Sequence, residues 1–69
     1  MSEHTLFIKE ATSETGIKKV EQILNQLKGV ERVLIDTNDG EVKVEFNEGT
    51  ISKDNIISAL SEHKLTILH

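Results

Sequence analysis

Val30-Glu31-Arg32-Val33-Leu34-Ile35-Asp36-Thr37-Asn38-Asp39-Gly40-Glu41-Val42-Lys43-Val44-Glu45-Phe46 is the stretch on which the fold turns. Val30, Val33 and Ile35 precede Thr37-Asn38-Asp39-Gly40, and Val42, Val44 and Phe46 follow it. Alternation at a period of two gives each flank one apolar and one polar face, and Asp-Gly between two such flanks is a hairpin signal. The segment is therefore predicted to be two antiparallel strands with a tight turn.

Working outward, Thr5 to Lys9 also alternate, with Leu6 and Ile8 on one face and Thr5, Phe7 and Lys9 on the other. Glu10 to Thr15 is small and polar. Thr12 or Ser13 is placed to cap a helix, and Glu14 suits the positive end of its dipole. Ile17, Val20, Ile23, Leu24 and Leu27 recur by threes and fours, which predicts an amphipathic helix stopped by Gly29. Beyond the hairpin, Asn47-Glu48-Gly49 breaks the pattern and Ser52 can cap a second helix whose core face is Ile56, Ile57, Ala59 and Leu60. A last strand is expected over 65–68. The order strand, helix, strand, strand, helix, strand predicts an α+β, ferredoxin-like βαββαβ two-layer sandwich, a four-stranded antiparallel sheet covered by two helices. One domain is expected over residues 1–69.

The chain has 69 residues, no cysteine, 12 acidic and 8 basic side chains, and a formal net charge of −4. Thiol chemistry and disulfide staples are excluded, so Leu, Ile and Val with Phe7 and Phe46 must supply the core. A negative chain whose lysines and Arg32 are interleaved with acids repels a phosphate backbone, so nucleic acid is not expected as a partner. No apolar run approaches the roughly 20 residues that span a bilayer, and the N-terminus lacks a secretion pattern, so a cytoplasmic protein without a membrane partner is expected.

Several stretches, taken in order from Thr5 to Leu68, resemble the heavy-metal-associated domain of copper chaperones, mercury-binding proteins and the tails of metal-pumping ATPases. They are Leu6-x-Ile8, Gly29-Val30-x-x-Val33-x-Ile35, Gly40-x-Val42-x-Val44-x-Phe46 and Ile56-x-x-Ala59-Leu60. The family's metal loop reads Met-Thr-Cys-x-x-Cys, and Ala11-Thr12-Ser13-Glu14-Thr15-Gly16 stands in its place. A soft ion such as Cu(I) prefers sulfur, and two thiolates two residues apart at a helix start close on one ion. Ser13 offers a hydroxyl and Gly16 offers nothing, although cysteines at both positions would restore the pattern. Where the family tends to carry Tyr, Phe or Lys before the last strand, this chain has Lys64-Leu65. The resemblance implies the fold; it does not supply the ligands for the family's chemistry.

Three candidate sites remain. Oxygen and imidazole ligands from Glu10, Ser13, Glu14 and His63 would form a zinc or nickel site if the last strand lies beside the first. The plainer reading of His63 is a solvated residue at a helix end, where positive charge suits the dipole. His4 and His69 would meet at the opposite end. Hydroxyls at Thr12, Ser13 and Thr15 with Gly16 could hold an anion at the helix start, but Glu10 and Glu14 oppose that, and capping accounts for the hydroxyls.

Alternation also places Phe7, Leu34 and Leu68 on the sheet face that the helices leave open, where a central aromatic flanked by leucines can anchor a protein partner or a second copy. That face opposes an RNA-recognition reading, since Glu41, Lys43 and Glu45 lie there and Phe7 alone could stack on a base. No nucleophile and base pair or phosphate loop stands out, so no enzyme and no cofactor are expected. The sequence thus favours a non-enzymatic interaction module, with metal binding through Glu10, Ser13, Glu14 and His63 as the alternative.

Overall fold

The computed structural model of the chain describes residues 2–68. Its elements are β1 (Ser2–Ile8), a 3-10 turn (Lys9–Thr12), α1 (Glu14–Asn25), β2 (Val30–Asp36), β3 (Glu41–Phe46), α2 (Lys53–Glu62) and β4 (Ile67–Leu68). The expected α+β sandwich is present: one antiparallel sheet of order β2-β3-β1-β4 carries both helices on one face.

Register follows from the alternation. Leu6 lies opposite Val42 and His4 opposite Val44 across β1 and β3, while Ile35 and Val33 face the same two valines from β2. Leu6, Ile8, Val42, Val44 and Phe46 are buried beneath Val20, Ile23 and Leu24 of α1 and Ile56 and Leu60 of α2. A slip by one residue would expose this whole set, so the pattern strongly specifies the pairing. The regular β2–β3 ladder shifts between Val30 and Arg32 because Glu31 is an extra residue on β2.

Ser13 and Ser52 are the two helix caps, each accepting a backbone N–H, from Gly16 and Asn55 respectively, at 3.2 Å. Thr12, the other candidate cap, instead donates its hydroxyl to the Lys9 carbonyl at 3.1 Å. α1 ends earlier than its periodicity predicts. Leu27 lies beyond Asn25 and packs against the core from the connection, and Gly29 (φ 102°) turns the chain into β2. β1 starts at Ser2, three residues before the expected Thr5, because its N-terminal half finds a full partner in β3. β4 is shorter than expected, since Leu65 is drawn into the core by the end of α2.

That end has a specific geometry. Lys64 adopts φ 62°, its N–H donates to the Ser61 carbonyl at 3.0 Å, and the Leu65 N–H donates to the Leu60 carbonyl at 3.3 Å. These bonds close a Schellman stop in which buried Leu65 packs over the last turn. A side chain in the left-handed region costs about 1–2 kcal/mol. Lys64→Gly is therefore expected to raise stability by about 1 kcal/mol, read as a higher urea midpoint at unchanged slope.

Candidate functional site

The loop over 10–16 is closed by its own backbone. The 3-10 turn buries Ala11 and brings the Glu10 carbonyl over the start of α1, where Ser13 donates to it from its N–H (3.4 Å) and its hydroxyl (3.3 Å). A Cβ built on Gly16 would lie 1.7 Å from that carbonyl oxygen and 2.6 Å from its carbon. The chain thus occupies the space into which a side chain at position 16 would project. An anion approaching Gly16 would meet the same oxygen, which opposes the anion reading.

The Glu10 side chain crosses to the segment entering β4. The Thr66 N–H donates to one carboxylate oxygen at 2.8 Å and the Thr66 hydroxyl to the other at 3.0 Å. The Thr66 N–H is the main cause that holds this carboxyl below the usual carboxylate range, so it is ionised at neutral pH. This clamp links residues 56 positions apart and fixes the loop to the sheet edge.

β4 does lie antiparallel beside β1, as the histidine reading required. The ligand set nevertheless does not assemble: among the described residues no group of three or more His, Cys, Asp or Glu side chains could hold an ion. Glu10 is engaged with Thr66, Glu14 pairs with Lys18 at 3.4 Å, and Ser13 caps α1. His63 is the exposed cap residue at the end of α2. His4 stands opposite Val44, and His69 lies outside the described residues.

The open sheet face carries the other candidate set. Phe7 is half-buried and directly opposite Leu68, which is 48% exposed. These two form one apolar pair. Leu34, 40% exposed, lies apart from them because β3 intervenes between β2 and β1. Its row across the sheet is Leu34, Lys43, Thr5, whereas the next row is Asp36, Glu41, Phe7, Leu68. Two strand spacings put Leu34 about 10 Å sideways from β1, with the charged side chains of β3 between. Lys43 reaches Glu3 at 3.9 Å across the same face. The expectation that Phe7 has two leucines beside it is thus corrected to one. Sequence alternation assigns faces; it does not order the strands.

No family model matches the chain, and no curated protein matches it. The sandwich, with a loop leading into α1 at one end, has the fold of the heavy-metal-associated domain. Among solved structures it is similar to the CopZ metallochaperone (TM-score 0.87, 18% identity, 97% of this chain and 100% of that one). It is also similar to oxidized MerP from Ralstonia metallidurans (0.87, 16%, 97% and 93%) and to apo-CopP from Helicobacter pylori (0.85, 21%, 97% and 100%). At such identities the likeness establishes the fold, and this chain carries that fold without a cysteine. Among the described residues no helix is long and apolar enough to cross a membrane.

Proposed function

We propose that this chain is a degenerate heavy-metal-associated domain, one that has given up metal transfer and serves as a non-enzymatic, cytoplasmic interaction module. The observation that carries this reading is the closure at Gly16. Where the family presents a second thiolate, this loop has a Glu10 carbonyl with no room for a Cβ. Its first thiolate position, Ser13, is spent on the helix cap. A soft ion finds no thiolate in this loop, and weak hydroxyl ligation does not replace it. The contact surface of the module is the open face, with Phe7 and Leu68 as its apolar centre and Leu34 as an outlying contact.

Two measurements test the reading. In competition with a Cu(I) chelator, the chain is expected to lose the metal at chelator concentrations that leave a two-cysteine relative loaded. Tight one-to-one binding overturns the loss of metal transfer. For the surface, Phe7→Lys is expected to stay folded and to abolish partner binding, since a charge buried in an apolar contact loses its water without gaining a counter-ion. Retention of every wild-type partner in pull-downs by the folded variant removes Phe7 and Leu68 as the contact.

A further inference from the structure

The sheet has two edges, and they differ. β4 is two residues long, whereas β2 at the other edge runs for seven. Long edge strands offer unpaired N–H and C=O groups to another strand, and proteins usually blunt them with charged side chains, above all lysine, with proline or with bulges. β2 contains neither proline nor lysine, its bulge at Glu31 is confined to the Val30 end, and the charges left on its regular part are Arg32 and Asp36, one of each sign. From Arg32 to Asp36 it runs in regular register with β3, leaving its outer side open.

That regular segment, Arg32-Val33-Leu34-Ile35-Asp36, complements itself when reversed. Paired antiparallel about Leu34, it sets Arg32 opposite Asp36 of the partner subunit twice, Val33 opposite Ile35 of the partner subunit twice, and the two leucines opposite each other. Arg32, Leu34 and Asp36 all lie on the open face, and Val33 and Ile35 on the helix-covered face. Among the described residues no ion pair within 4 Å includes Arg32, whose neighbour across the β2–β3 ladder is Glu45 on the same open face. The exposed Asp36 carboxylate accepts a bond from the Asn38 N–H through one oxygen.

Other registers fit worse. Moving the centre to Val33 or Ile35 sets Leu34 against Arg32 or Asp36, and a charge opposite an apolar side chain forfeits the pairing. A shift of the pairing by one residue would join a covered face to an open one.

We propose that the partner of the β2 edge is a second copy of this chain, joined through antiparallel β2–β2 pairing centred on Leu34 into an eight-stranded sheet with both helix layers on one side. The interface is isologous, as a two-fold dimer requires. It also accounts for the exposed Leu34, which stands apart from the Phe7 and Leu68 pair and becomes the centre of a shared surface.

Sedimentation equilibrium from about 10 micromolar to about 1 millimolar tests this. The apparent mass is expected to rise from 7.7 kDa toward twice that value. Arg32→Asp and Asp36→Arg should each weaken dimerisation by about tenfold or more, because each sets like charges opposite one another twice. Combining them should restore it. Leu34→Lys places two lysines at the two-fold centre and serves as the probe should Asp36→Arg disturb the turn, with amide NMR spectra confirming that each variant is folded. Glu62→Lys, at the exposed end of α2 and outside both surfaces, should dimerise as wild type does. The proposal is overturned if the wild type remains monomeric throughout, if folded Arg32→Asp or Leu34→Lys associates like wild type, or if the folded double variant fails to recover. Loss of association in Phe7→Lys with the β2 variants unaffected would mean instead that copies meet face to face.

Discussion

Phe46→Ala is expected to destabilise the domain by about 3–5 kcal/mol, a large share of the roughly 5–15 kcal/mol that holds a typical domain folded. Phe46 is 4% exposed and ends β3, a central strand, where it pairs with Ser2 on one side and Val30 on the other. Truncating it removes a buried aromatic side chain from the core cluster and leaves a cavity there, which a chain of 69 residues has few means to refill. Phe7 tests the same assignment from the opposite side. It is half-buried on the uncovered face, so Phe7→Ala should cost only a fraction of that loss. Urea melts of the two variants decide the matter, and equal shifts in midpoint would mean that the two faces are wrongly assigned.

Gly16→Ala is the second large effect. One methyl group is ordinarily a helpful addition near a helix start, since alanine is the better helix former. Here the added carbon would collide with backbone, not with a side chain that can swing away. Overpacking of this kind costs about 1–3 kcal/mol, and a backbone obstacle places Gly16→Ala at the upper end of that range. The 3-10 turn must lift, and lifting it drags Glu10 from Thr66. Amide shifts are therefore expected at Thr66 as well as in the loop. Wild-type stability with shifts confined to position 16 and its neighbours would show that the carbonyl does not lie over the helix start. The same obstacle bears on restoring cysteines at positions 13 and 16: the pair does not recreate a two-thiolate loop unless the turn opens.

Much of this architecture was legible in the residues because two short-range rules govern it. Alternation at Leu6 and Ile8 and at Val42, Val44 and Phe46 assigned the sheet faces, while Ser13 and Ser52 announced the helix starts by chemistry that acts within one turn. What stayed hidden depends on longer-range geometry or on opposed local preferences. Ala11 lies in a polar run yet is wholly buried, because the 3-10 turn folds it inward. Ile51 stands alone among turn residues yet joins the core. Lys64 carries no mark of a left-handed residue, a position that glycine or asparagine would have signalled. The separation of Leu34 from Phe7 was invisible for a further reason, since strand order arises from how whole elements pack. Gly16 looked like a missing ligand and is in fact a required gap.

The Glu10 to Thr66 clamp also bears on how the chain assembles. β2 and β3 meet across a four-residue turn and can pair early, whereas β1 must wait for α1 to bring it back against β3. β4, with two ladder positions and a carboxylate to hold it, is expected to join last. Closure across 56 residues is entropically only modestly dearer than closure across half as many, since each doubling adds about 0.6 kcal/mol. It is slow all the same, because the distant partner has to be in place first. The last strand is thus a latch on an otherwise finished three-stranded sheet, and the β4 amides are expected to open to solvent exchange well before those of β1 and β3.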